Sequence, residues 1–457
     1  MAAPNSDLRA RAKIFFNAVD FDQPIDFGLR EVLDTREGRP ESQYVPGIHG
    51  APDSPDPVQE LADQIDLSAS AGSYLFTGGR GTGKTTELMR LTKLLDSYSC
   101  EVFYADMSDY LPLSDRIEVS DVLITVLGAL SEKFTQRFGG ENPTTESFFT
   151  RARQFLTSRV RFDEVTVPLG ALELKAAIKD NPTFKSQLQE RTRGHIEELV
   201  REARKFALEV VSHVRAARND PAKKVVLIID SLEQLRGVGD SAQVREVFKS
   251  AETVFSANAD KLRFTGLTIV YTVPPYLSAI AGALGSLYAG GRIYSLPSIH
   301  VFEKCPEPGC LPEPSRFGIS KMVSMIDRRY EKHDEFFARD QLERLALSSG
   351  GDLRDFLRMI RLAITNALTT GVPLTDDVIA HAENAVRSDM LPLADDDRGW
   401  LERVAHSHQA ELPSIDALPE FARLQQGKRI LQYRNGEDWY APHPLLRTEL
   451  ERGTGSG

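Results

Sequence analysis

Two stretches of this chain carry the residue types that handle phosphate and its counter-ion. The first is Gly78-Gly-Arg-Gly-Thr-Gly-Lys-Thr85, which fits G-x-x-x-x-G-K-[ST]. Backbone N–H groups around Gly81 to Lys84 can surround phosphate oxygens, and Gly78, Gly79, Arg80, Thr82, Gly83 and Thr86 complete the loop. Lys84 brings charge to the β- and γ-phosphates, and the Thr85 hydroxyl is a ligand for Mg²⁺. The second stretch, Lys224-Val-Val-Leu-Ile-Ile-Asp230, is an apolar run ending in a carboxylate. Asp230 can hold the same Mg²⁺, usually through water, opposite Thr85. Just beyond it, Glu233 is the nearest acid able to activate an attacking water, Gln234 could orient that water instead, and Glu233 could equally be a helix-start acid.

These groups need a strand before the glycines and a helix after them. Tyr74–Thr77 reads as a buried strand, and Glu87 to Leu95 has leucines at helical spacing. Pro57 opens a further helix through Leu67. Glu101–Asp106, Lys224–Asp230, Leu267–Val273 and Ile293–Val301 supply four more strands. Continuous apolar runs mark strands covered on both faces, so the expected core, residues 59–305, is an α/β parallel sheet with helices on both faces. Val119–Phe138 reads as an amphipathic helix. Residues 144–219 are too long for a plain connection and read as a mostly helical insertion, with a hairpin-like strand at Asp163–Gly170.

The flanks differ in character. Residues 1–58 read as an irregular arm, in which Tyr44-Val-Pro46 and Ile48 are either adenine-pocket residues or a plain linker. Residues 306–390 are all-helical, a lid, with a last helix capped by Thr375. Residues 391–452 give two helices and then strands Arg429–Tyr433 and Asp438–Tyr440, joined through Asn435-Gly436, a strong hairpin signal and the outline of a small winged-helix-like domain. Residues 453–457 read as a flexible tail.

Three further polar residues are site candidates. Thr272 ends the strand after that of Asp230, where its hydroxyl meets the attacking water or only terminates the strand. Arg292 follows Gly290-Gly291 and is either an arginine for a neighbouring subunit's nucleotide or plain surface. Arg354, Arg358 and Arg361 share one face of the helix opened by Gly350-Gly351-Asp352, and Arg354 could reach a γ-phosphate.

Composition narrows the partners. The chain has 457 residues and a net charge of −11, which disfavours a protein built chiefly to hold nucleic acid. From Leu391 to Gly457 eleven acidic residues face eight basic ones, with only Lys428, Arg429 and Arg434 gathered near the hairpin. Three cysteines suit a reducing cytoplasm; Cys305 and Cys310 could be two ligands of a metal site, but no second Cys/His pair is near them in sequence, so they are expected as free thiols in a loop. No apolar run is long enough to span a membrane.

Together these motifs resemble the AAA+/STAND group of P-loop ATPases, close to bacterial origin-initiator-like or STAND-like proteins, over about residues 40–450. The resemblance implies ATP/ADP and Mg²⁺ as cofactors, Thr272 as the polar sensor, Arg354 as the lid sensor and Arg292 near the usual arginine finger. Many AAA+ enzymes carry Glu directly after the motif aspartate, where this chain has Ser231. That departure implies a slow regulatory switch controlling homo-oligomer assembly or an effector protein, in signalling or phage defence. The alternative is a DNA-binding ATPase of initiator or loader type.

Overall fold

The structure is a computed structural model that describes residues 6–25, 43–50, 55–139, 147–160, 170–236, 241–305, 307–414 and 417–453. The chain forms two compact units, one from Val58–Thr77 and Leu91–Tyr294, the other from Met1–Pro57, Gly78–Arg90 and Ser295–Gly457.

The apolar runs form strands β1 (Ser73–Gly78), β2 (Glu101–Asp106), β3 (Val225–Asp230), β4 (Leu267–Thr272) and β5 (Ile293–Leu296). They make one sheet in the order β2-β3-β4-β1-β5. Strands β1, β3 and β4 are buried along their whole length, as strands covered on both faces must be. The pairs β1–β4, β4–β3 and β3–β2 are parallel, with Phe76 opposite Thr272 and Asp106 opposite Asp230. Polar strand ends therefore gather at one edge, where open parallel sheets hold their ligands. Strand β5 is shorter than its sequence suggests because Pro297, lacking an N–H, cannot extend the ladder. With helices flanking this sheet and a helical C-terminal region, the fold is that of an α/β P-loop nucleoside triphosphatase.

Helix Val119–Phe138 forms with the expected bounds but is buried on most sides, not on one face, because it packs on both β2 and helix Ile196–Ala217. The insertion is helical: Phe148–Ser158, Ala171–Asp180, Pro182–Thr192 and Ile196–Ala217. Residues 163–169 of the expected strand lie outside the described residues, and Gly170 is the N-cap of the next helix.

The second unit corrects the reading of the N-terminal arm as irregular. Ser6–Ala18 is a helix that buries Ala12 and Phe15 against helix Leu353–Thr370 and its neighbours. Its weak contrast between faces hides it, but Leu8, Ala12, Phe15 and Val19 keep helical spacing. The same apolar core takes in helices Arg316–Arg329, Arg339–Ser348, Leu353–Thr370 and Asp376–Ser388, then Trp400, Phe421, Tyr440 and Leu446 from the C-terminal part. There, helices Asp395–Ser407 and Leu418–Gln426 precede an antiparallel hairpin of β6 (Ile430–Asn435) and β7 (Glu437–Pro442). Cys305 and Cys310, expected as free thiols, are instead joined as a disulfide with Cα atoms 5.9 Å apart. The closure follows from an antiparallel bridge between Phe302 and Pro314, which folds the segment between them back on itself. Among the described residues no helix is long and apolar enough to cross a membrane.

Candidate functional site

Strand β1 runs directly into the glycine loop, and the helix that follows begins at Lys84. Gly81 and Gly83 adopt left-handed φ values of 89° and 85°. At Gly81 the requirement is double, since a Cβ there would also stand 2.6 Å from both carboxylate oxygens of Asp352 and 2.8 Å from Lys428 Nζ. Lys84 Nζ donates to the Gly79 carbonyl at 2.7 Å, and the Thr82 hydroxyl donates to the same oxygen at 2.9 Å. Thr86 accepts a hydrogen bond from the Ile25 N–H, Thr85 is half-buried and Arg80 is exposed.

The arm residues before the loop are bound to its helix. The Tyr44 hydroxyl donates to Glu87 at 2.8 Å, and Arg90 donates to Tyr44, Glu87 and Asp56 at 2.6–2.8 Å. Burial pushes the Glu87 carboxyl upward, with Arg90 and Tyr44 opposing that shift. Val45 and Ile48 are buried, and the His49 imidazole lies 2.9 Å from the Pro297 carbonyl. Burial lowers His49 to about 4, so it is neutral at physiological pH.

Helix Leu353–Thr370, in the segment expected as a lid, starts on this loop. Asp352 is its N-cap, accepting from the Asp355 N–H at 2.9 Å, and the Arg354 N–H donates to the Gly81 carbonyl at 3.2 Å. Lys428, the residue two before β6, sends Nζ between Asp352 (2.8 Å) and Asp355 (2.9 Å). Burial, reinforced by Asp355, raises the Asp352 carboxyl against the pull of Lys428. Asp355 lies well below the usual carboxylate range despite its burial, because His443 and Lys428 both favour its charge. The hairpin adds a further tie, from the Tyr433 hydroxyl to the Gly350 carbonyl at 2.6 Å.

The arginine line on this helix pairs with acids of the same chain. Arg354 meets Asp22 at 3.2 Å and lies over Phe21, Arg358 meets Asp389, and Arg361 meets Asp20 and stacks on Phe16. The hairpin cations are engaged as well. Arg429 bonds Met390 O and Asp397, and Arg434 faces its cross-strand neighbour Asp438 at 3.8 Å.

In the sheet unit the strand ends form their own cluster. Asp230 accepts from the Tyr104 hydroxyl at 2.5 Å and from the Ser231 N–H at 2.7 Å. Ser231 is left-handed, with φ 72°, an uncommon conformation for a residue with a side chain. It turns the chain so that the Leu232 N–H donates to the Thr272 hydroxyl at 3.0 Å. Glu233 sits buried in the short turn Leu232–Gln234, and Gln234 donates to Ser231. Arg292 pairs with Glu60 of helix Pro57–Leu67 and lies over the Tyr294 ring. Sequence reading missed Tyr104, the Tyr44–Glu87–Arg90 cluster and Lys428 as a lid contact. Asp352 too was missed as a site residue, although its place after two glycines marks it as an N-cap.

No protein-family model and no curated protein sequence matches the chain. Among solved structures it is similar to the ORC2 protein of Aeropyrum pernix, in ADPNP–ADP complexes, at 10% identity over 96% of this chain and 98% of that one, with a TM-score of 0.37. It is also similar to the Walker-type ATPase paby2304 of Pyrococcus abyssi at 14% identity, over 95% and 99% of the chains, with a TM-score of 0.38. For Cdc6p of Pyrobaculum aerophilum the values are 11%, 93%, 97% and 0.35.

Proposed function

We propose that this chain is an ATP-binding, slowly hydrolysing ATPase of AAA+ type in which the lid reads the nucleotide. The observation that carries it is the seat of the lid helix on the loop, with Arg354 N–H on the Gly81 carbonyl and the Asp352–Lys428 pair beside Gly81. The left-handed glycines and the helix starting at Lys84 fit a polyphosphate. Thr85 and Asp230 fit Mg²⁺, and Asp230, with both oxygens already accepting hydrogen bonds, suits a cation held through water.

Nucleotide phosphates bring negative charge to the loop. Asp352 is then repelled and Lys428 attracted, each by on the order of 4 kcal/mol for unit charges at ~4 Å before desolvation opposes it. The Asp352–Lys428 contact is thus the element that ATP and ADP bias differently, and the lid moves with it. Glu233 activates the attacking water, with Gln234 as its stand-in, and Thr272 and Arg354 act as sensors. The output is assembly with further copies or control of a protein effector, with Arg292 released from Glu60 toward a neighbour. A signalling or defence role belongs to the same proposal.

A DNA-binding ATPase of initiator or loader type is the second reading, favoured by the helix–helix–hairpin order at the C-terminus. It is also the kind of protein named among the solved structures, a likeness of fold alone. Pairing of Lys428, Arg429 and Arg434 within the chain weighs against it. The test is fluorescent ATP and ADP binding to the parent and Lys84→Ala, with duplex-DNA anisotropy at two salt concentrations. Lys84→Ala should lose at least about a hundredfold in affinity or turnover; unchanged binding and hydrolysis sink the proposal. Salt-sensitive, ATP-dependent DNA binding would install the second reading.

A further inference from the structure

We propose a structural zinc site formed by Cys305 and Cys310, five residues apart, and by His408, which the fold brings to them from ninety-eight residues beyond Cys310. The sulfurs and an imidazole nitrogen all lie within 4.8 Å of one another. Tetrahedral zinc, with bonds of about 2.0–2.3 Å, needs ligand atoms roughly 3.4–3.8 Å apart, so small side-chain shifts are enough.

The local backbone is built for this meeting. The antiparallel bridge of Phe302 with Pro314 and the Glu303 N–H to Glu313 carbonyl bond, at 2.8 Å, tie the two ends of a knuckle. Gly309, at φ 81°, makes its turn and donates its N–H to the His406 carbonyl at 2.7 Å, which docks the knuckle on the end of helix Asp395–Ser407. His408 caps that helix in a left-handed conformation, φ 55° and ψ 22°, which turns a residue with a bulky side chain into a strained one. The ring is buried, with Nδ1 3.2 Å from the Tyr440 carbonyl and Nε2 3.1 Å from the Cys310 carbonyl.

A neutral imidazole has a single N–H, so it cannot donate to both carbonyls. With Nδ1–H donating to Tyr440, Nε2, on the side of Cys310, keeps its lone pair for a metal. That is the arrangement of a metal-binding histidine oriented by a backbone carbonyl on its other nitrogen. Two thiolates and an imidazole select zinc over harder cations. Exposed His406, whose Nδ1 would lie 3.2 Å from a Cβ on Gly309, stands near the knuckle for the fourth position.

The proposal concerns the dithiol form. Each cysteine S–H bond breaks, two Zn–S bonds form, two protons pass to solvent, and zinc sheds water ligands; no electron is transferred. The disulfide joining the same sulfurs is the competing state, reached from the dithiol only by loss of two electrons to an oxidant. The site does not depend on the nucleotide reading.

The test uses the full chain treated with a phosphine reductant, incubated with zinc and desalted, with metal measured by plasma mass spectrometry and thiols by titration. About one zinc per chain is expected, together with thiolate-to-metal absorption when cobalt replaces zinc. Cys305→Ser and Cys310→Ser should each weaken zinc at least about a hundredfold, while circular dichroism shows the helices intact. His408→Asn, which keeps a donor to Tyr440, should do the same. A reduced chain with free thiols that takes up neither zinc nor cobalt overturns the site, as does full zinc retention in the cysteine variants.

Discussion

The loop with its neighbouring helix Leu353–Thr370 and the strand-end cluster each fix charged groups in place, but by different contacts. Around Asp230 the contacts join neighbouring strands: Tyr104 on β2 to Asp230 on β3, and the turn after β3 to Thr272 on β4. Around Gly81 they join segments distant in sequence, with Lys428 reaching Asp352 and Asp355 and the Arg354 N–H reaching the loop. Sheet register fixes the first set, so it has little room to change. The second is held by a few ion pairs and hydrogen bonds between helices and loops, which is where the proposed switch would have to act.

The sharpest way to break the comparison is to remove the chemistry and leave the switch. Glu233→Gln should slow hydrolysis by about 10²–10⁴ with ATP still bound, as read by phosphate release beside nucleotide affinity. A parent-like rate would make Glu233 a turn residue and move attention to Gln234. Lys428→Met attacks the other side. It leaves Asp352 buried without its cation and Asp355 with His443 alone, which costs about 3–5 kcal/mol, and it should narrow the gap between ATP and ADP affinity. Chemical denaturation and nucleotide titration measure both; a stable protein with the parent's ATP/ADP gap would mean that this pair gates nothing.

Smaller effects test the periphery. The Arg354–Asp22 pair is largely exposed, so Arg354→Ala should change stability by less than about 1 kcal/mol. If Arg354 leaves Asp22 for the γ-phosphate, the same variant loses a charge-assisted bond of roughly 1.5–3 kcal/mol, and the preference for ATP falls about ten- to hundredfold. An unaltered preference would make Arg354 an anchor for the arm. His49 gives the mildest probe. Its folded value is depressed to about 4 from 6.5, so the unfolded chain binds more protons between those values. Stability from this group is full above pH 6.5 and is lost as pH falls toward 4, by about 1.4 kcal/mol per unit. His49→Asn keeps a donor to Pro297 and should remove that slope. Asp121, raised to about 6 and acting with opposite sign, is common to both proteins and drops out of the difference, whereas His300, lowered to about 4 by burial and by His49, should rise slightly in the variant and reduce the slope further.

The comparison also explains what could be read in advance. The five strands, the loop helix and most lid helices were legible, because apolar runs and helical spacing report burial directly. Asp230 and Thr272 were placed by the strands that end in them. Lys428 was legible only as one of three hairpin cations, because its partners lie more than seventy residues earlier and no local pattern records such a distance. The arginine line shows the same blindness: its spacing was visible, but its partners Asp20, Asp22 and Asp389 were not. His408 is a third case, ninety-eight residues from the carbonyl that its ring faces.

The apolar core shared by the arm helix, the lid helices and the C-terminal part bears on how the molecule comes apart. Ala12, Phe15, Phe356, Ile360, Phe421, Tyr440 and Leu446 belong to one continuous cluster. A fragment ending near residue 390 would expose apolar surface that Trp400, Leu401, Phe421 and Leu446 now cover, and it should behave as an aggregating piece, not as an independent lid. Amide exchange in the intact chain should accordingly show lid and hairpin opening together, with one free energy and one dependence on denaturant. Separate opening energies for the two would mean that the cluster is divided into independent cooperative blocks. If they open as one, the lid and the C-terminal part are a single lever, and any partner that grips the hairpin is pulling on the residues that rest against Gly81.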